Sequence, residues 1–146
     1  MRAGSAAVAL VAALLAGCSS ATSPQSFGRA DERIAVTNGA SFEIVLDANS
    51  GVGDDWRIVG EPDPAVAVPT GEGYRSDSDQ PGSPGHASFA FRAAGAGTTA
   101  VKIYNCYRCG PDSKPRPEDE HLAETLAFTV VVTGIGPSGS RGCFCA

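Results

Sequence analysis

Ser41-Phe42-Glu43-Ile44-Val45-Leu46-Asp47-Ala48 places Phe42, Ile44 and Leu46 on one side of an extended chain and Glu43, Val45 and Asp47 on the other. A period of two belongs to a β-strand buried on one face. The same period recurs outward in both directions. Toward the N terminus, 33–36 is a short strand ended by the tight-turn pair Asn38-Gly39. Toward the C terminus, 55–59 sets Trp56 with Ile58, and 65–68 is an apolar run between Pro64 and Pro69. Further strands fall at 86–93 through Ala87, Phe89 and Phe91, at 99–104 through Val101 and Ile103, and at 125–133 through Leu126, Phe128, Val130 and Val132. Segments 71–85 and 106–119 are so rich in Gly, Pro, Ser and charge that they are read as loops. Helical periodicity is hard to find.

About seven strands punctuated by turn residues predict an all-β, immunoglobulin-like Greek-key β-sandwich. The chain before it reads as an export segment. Residues 6–16 are almost entirely Ala, Val and Leu behind Arg2, too short for the roughly 20 residues of a membrane span and suited to a signal peptide. Leu15-Ala16-Gly17-Cys18 is similar to a bacterial lipobox, which implies cleavage after residue 17, acylation of Cys18, and an exported protein anchored to the cell membrane or envelope by lipid. The expected organisation is therefore a signal peptide over 1–17, a lipidated tether over 18–30, a sandwich domain over 31–133 and a cysteine-containing tail over 134–146. Cleavage would leave 129 residues carrying a formal charge of −6. That acidic balance excludes nucleic acid as a partner, since phosphate binding needs a basic face.

The loops carry a more specific signal. Phe42-Glu43-Ile44-Val45-Leu46, then Asn49-Ser50-Gly51-Val52-Gly53, then Trp56 resembles the strand, loop and tryptophan of chagasin-type inhibitors of papain-like cysteine proteases. Asn49, Gly53 and Trp56 stand in the family's register, while Ser50, Gly51 and Val52 replace its Pro-Thr-Thr centre. Gly82-Ser83-Pro84-Gly85 before Phe89 and Phe91 is similar to the family's Gly-rich second loop, with Pro84 where a glycine is usual. The third loop, Cys106-Tyr107-Arg108-Cys109, lacks the family's Arg-Pro-Trp. Arg108 is the preferred counterpart of its arginine, and Arg116-Pro117 is the other. The resemblance extends over about residues 33–133 and implies a non-enzymatic inhibitor whose partner is a papain-like cysteine protease, with no cofactor.

Physical chemistry supports such a role independently. Connections at 49–53, 71–85 and 106–117 can gather at one end of a Greek-key sandwich and form a wedge. Gly-rich loops bring backbone close to a partner, and Tyr107 and Arg108 are suitable anchors. The extra loop flexibility at Ser50 and Gly51 would weaken binding, since immobilising each residue costs on the order of 1 kcal/mol. A second class of function, a non-inhibitory envelope binding module, is favoured by those same loop departures. Catalysis lacks a nucleophile or an acid/base setting. Asn49–Gly53 also reads as a plain turn, Trp56, Phe89 and Phe91 as core, and His86 and His121 as strand-end or loop residues. The acidic stretches lack EF-hand spacing, so no metal is expected. Besides Cys18, the four cysteines Cys106, Cys109, Cys143 and Cys145 point to disulfides in an exported protein. Cys106-Tyr107-Arg108-Cys109 has thioredoxin-like spacing without a βαβ setting. Pairing Cys106 with Cys109 would leave Cys143 and Cys145 to close a strained ring. The expectation is therefore two crossed bridges that staple the tail to the third loop.

Overall fold

The structure, a computed structural model, describes residues 23–135. The signal segment, Cys18, Cys143 and Cys145 lie outside them. Eight strands form: β1 Gln25–Phe27, β2 Arg33–Asn38, β3 Ser41–Ala48, β4 Trp56–Gly60, β5 Ala67–Ser76, β6 Gly85–Ala93, β7 Gly97–Asn105 and β8 Glu124–Ile135. One 3-10 turn, Glu120–Leu122, interrupts the last connection. The strands make two four-stranded sheets, β1-β3-β6-β5 and β2-β8-β7-β4.

Alternation within the strands builds the core. Phe42, Ile44 and Leu46 of β3 stand opposite Phe91, Phe89 and Ala87 of β6, and all six are buried. Phe42 and Phe91 stack at 5.3 Å between ring centroids. The facing sheet contributes Ile34, Val36, Val101, Ile103, Phe128, Val130 and Val132. Each large side chain so buried contributes roughly 1.5–3 kcal/mol relative to exposure. Trp56 is half-buried against this core, and its indole N–H donates to the Asp47 carbonyl at 3.1 Å, tying the start of β4 to the end of β3.

Strand register defines two poles. Ala48 and Ser76 both lie opposite Gly85, and Trp56 and Glu124 both lie opposite Asn105. Segments 49–55, 77–84 and 106–123 therefore leave from one pole. The turns at 39–40, 61–66 and 94–96 close the other. Gln25 pairs with Phe42 in parallel, and Asn38 pairs with Ile135. The described chain accordingly enters and leaves at the pole away from the three long connections.

Three expectations are corrected. Residues 71–76 are strand rather than loop: β5 pairs with β6 from Ala67 to Ser76, yet only Ala67 of its ten residues is buried. Main-chain bonds hold it while both of its faces meet solvent, so no alternation marks it. Gln25–Phe27 is part of a sheet rather than tether, with Phe27 packing edge-on against Phe42 at 6.3 Å. Finally, Cys106 is bonded to Cys109, with Cα atoms 5.5 Å apart, so the crossed pairing does not form. Topology explains this outcome. The tail starts at the far pole, and β8 spans about 36 Å back to the third loop at ~3.3 Å per residue. The eight Cα steps from Ile135 to Cys143 reach at most about 28 Å.

Candidate functional site

Loop one, 49–55, is shaped by its own asparagine. The Asn49 side-chain oxygen accepts from the Gly51 N–H at 3.0 Å, and its carbonyl accepts from Val52 and Asp54 N–H at 3.1 and 3.2 Å. This local bonding substitutes for regular structure and leaves Val52 projecting, 44% exposed. Gly53 has φ of +113°, a region that favours glycine, and a Cβ there would lie 2.6 Å from Arg108 Cγ. At Gly51 a Cβ would lie 2.8 Å from Gly82 Cα. Both glycines are thus sites of close approach between loops.

Loop two is the hairpin 77–84, closed by the Asp77 N–H donating to the Pro84 carbonyl at 2.9 Å. Gly82 takes φ of +78°, and its carbonyl accepts from the Asn49 amide at 3.1 Å. Ser83 lies at the tip, bonded to Ser78 at 3.0 Å. Gly85 is buried at the start of β6, where a Cβ would meet the Arg75 carbonyl at 2.3 Å. It belongs to the scaffold of the hairpin rather than to its tip. His86 sits between Asp47 and Asp77, with ring nitrogens 3.2 and 3.4 Å from their carboxylates.

Loop three begins with Cys106, fully buried and donating its N–H to the Asp55 carbonyl at 2.9 Å. The Cys106–Cys109 bridge closes a ring around Tyr107 and Arg108. Arg108 takes φ of +49° and donates through its backbone N–H to Gly53 at 2.8 Å and through Nε to the Val52 carbonyl at 3.2 Å. Its guanidinium lies 5.2 Å from the centre of the Tyr107 ring, a contact worth about 0.5–1 kcal/mol at an exposed site. Of the two candidate arginines, Arg108 makes the hydrogen bonds to loop one.

Beneath the loops lies a polar link that sequence reasoning missed. Asn105, 5% exposed, accepts the Asp55 N–H at 3.0 Å and donates to one Asp54 oxygen at 2.8 Å. The other Asp54 oxygen accepts the Asn49 N–H at 2.8 Å. One buried amide thereby fixes the root of loop three to the first residue of loop one. Beside this pole, Arg29 pairs with Glu124 through both guanidinium nitrogens, and that hydrogen bond holds the Arg29 pKa above its ordinary value.

The arrangement is three loops braced against one another at one pole. It brings Asn49, Ser50, Gly51, Val52, Gly53, Gly82, Ser83, Tyr107 and Arg108 to one pole, and it sets Gly85 below them. Residues 35–129 match a family described as "Chagasin family peptidase inhibitor I42". No curated protein sequence matches the chain. Among solved structures, a cysteine protease inhibitor from Entamoeba histolytica, EhICP2, is 14% identical with a TM-score of 0.55, covering 75% of this chain and 94% of its own. Amebosin is 18% identical with a TM-score of 0.58, covering 77% of this chain and 100% of its own. PbICP-C, solved in complex with falcipain-2, is 17% identical with a TM-score of 0.47, covering 77% of this chain and 91% of its own.

Proposed function

The chain belongs to the chagasin family of peptidase inhibitors, and we propose that its three-loop pole closes the active-site cleft of a papain-like cysteine protease. The observation that carries this reading is the mutual bracing of the loops: Asn49 to Gly82, and Arg108 to Val52 and Gly53. A cleft that binds extended peptide offers backbone donors, backbone acceptors and apolar subsites. Val52 supplies an exposed apolar side chain at the apex of the first loop. Gly51, Gly53 and Gly82 keep the loop pole thin, and Tyr107 with Arg108 flanks it. The loop pole presents no extended segment in which a peptide bond would be offered for cleavage. Rigidity matters because each side chain immobilised on binding would otherwise cost about 0.5–1.5 kcal/mol.

The lipobox reading adds that Cys18 carries the lipid, so the inhibitor works at the outer side of a bacterial membrane. Because β1 starts at the opposite pole, a tether from Cys18 would leave the loops free to meet a protease.

Titration of papain, activated and then freed of reductant, with the oxidised, unacylated chain tests the inhibitory reading. Saturable loss of activity at or below about 1 μM is expected. Val52→Asp should weaken it at least about tenfold while shifting stability by no more than ~0.5 kcal/mol, as an exposed substitution does. Full papain activity at about 30 μM inhibitor, a concentration at which even weak specific complexes form, would end this reading.

A further inference from the structure

Building on the inhibitory reading of the loop pole, we propose that the Cys106–Cys109 bridge positions Arg108 and so makes binding of the target protease depend on thiol redox state. The two sulfurs occupy different settings. Cys106 is fully buried at the end of β7, whereas Cys109 is partly exposed in the loop. Between them Arg108 holds φ of +49°, a backbone conformation that side-chain-bearing residues rarely adopt. Within the ring only the Cys109 N–H, donating to the Cys106 carbonyl at 3.3 Å, supports that conformation besides the covalent bridge.

Arg108 is also the residue through which loop three reaches Val52 and Gly53 of loop one. Its backbone and side chain hold the Gly53 and Val52 carbonyls, and its stem fills the space that a Cβ on Gly53 would need. Downstream, 110–119 contains only tight turns, with Gly110 bonded to Lys114 at 3.1 Å and Ser113 to Gly110 at 3.0 Å. Opening the bridge therefore frees the segment 107–118, between the Cys106 N–H bonded to Asp55 and the buried Asp119, to rearrange around Arg108. A dithiol accomplishes this by breaking the S–S bond: two electrons and two protons pass to the Cys106 and Cys109 sulfurs, and the dithiol becomes its cyclic disulfide. Papain-like proteases work through a free thiol, so conditions that keep the target active also loosen this inhibitor.

The test uses the exported chain with Cys18→Ser, Cys143→Ser and Cys145→Ser, and a papain whose catalytic cysteine is replaced by alanine, so that reductant cannot act through the target's nucleophile. Calorimetric or surface binding is measured with and without dithiothreitol, and the Cys106→Ala/Cys109→Ala variant is measured without it. Trypsin nicking after Arg108 provides a readout independent of papain. We expect binding at least about tenfold weaker on reduction, an equal weakening in the double variant, and faster nicking after Arg108. Equal binding by the two redox states overturns the redox inference and leaves the inhibitory reading standing. Absence of binding in both states overturns both. Equal nicking rates show that the bridge does not order Arg108, which also overturns the inference.

Discussion

Asn105 shows how much a single residue at this pole is asked to do. Its nearly buried amide satisfies the Asp55 N–H and an Asp54 carboxylate oxygen, both at a partly buried site. Asn105→Leu keeps the volume but leaves both partners unsatisfied. The expected loss is about 1–3 kcal/mol, because an unpaired buried group loses its solvation without replacement. Urea unfolding would measure it. Papain titration of the same variant should show weaker inhibition than the thermodynamic loss alone predicts, because loop one also loses its anchor at Asp54. A folded variant inhibiting at wild-type strength would separate Asn105 from loop positioning. Nothing local in the sequence marks this residue, since a buried partner is defined only once strands meet. Asn49, Gly53 and Trp56 were picked out by their resemblance to the family's loop and tryptophan, and the structure gives them a turn-forming hydrogen bond, a positive φ and a packed indole respectively.

Among the elements, the legible strands were those with one buried face. β3 coincides with the alternating stretch at 41–48, and β6 and β8 begin and end within two residues of the positions that alternation implies. β5 was illegible beyond Val68 because its side chains are exposed on both faces and only its backbone is committed. That observation yields a prediction for the hairpin it forms with β6. Replacing 78–83 by a two-residue Asn-Gly turn should change stability by less than about 1 kcal/mol, because the removed side chains are largely exposed. Inhibition should fall, since the Asn49 to Gly82 bond is deleted with the tip. Circular dichroism melts and papain titration measure the two effects separately. Unchanged inhibition would remove the hairpin from the contact surface.

For the whole molecule, the decisive relation is between the chain ends and the loops. Gln25 pairs at the level of Phe42, six residues of strand below Ala48, or about 20 Å from the root of the loop pole. Seven Cα steps separate Cys18 from Gln25, a tether no longer than about 24 Å. If Cys18 carries the lipid, as proposed, a tether of that length joined to the far end of β3 favours an orientation in which the loop pole points away from the membrane. The lipidated protein in vesicles should therefore hold a fluorophore at Ser83 farther from the bilayer than one at Ala94, measured by energy transfer to a lipid dye. Equal transfer from the two positions would refute this orientation. Cys18→Ser should move the protein from the membrane fraction to the soluble one. By itself the sequence determined the sandwich and the location of most strands, because burial on one face imposes a period of two that can be read without knowing the partner. It also allowed Asn49, Gly53 and Trp56 to be matched to the family's first loop and tryptophan by resemblance. Only the tertiary structure decided that Cys106 pairs with Cys109, that Gly85 is scaffold, that β5 and β1 are strands, and that Asn105 joins two loops. Those outcomes depend on which strand ends share a pole, and that is a property of long-range pairing rather than of any local stretch of chain.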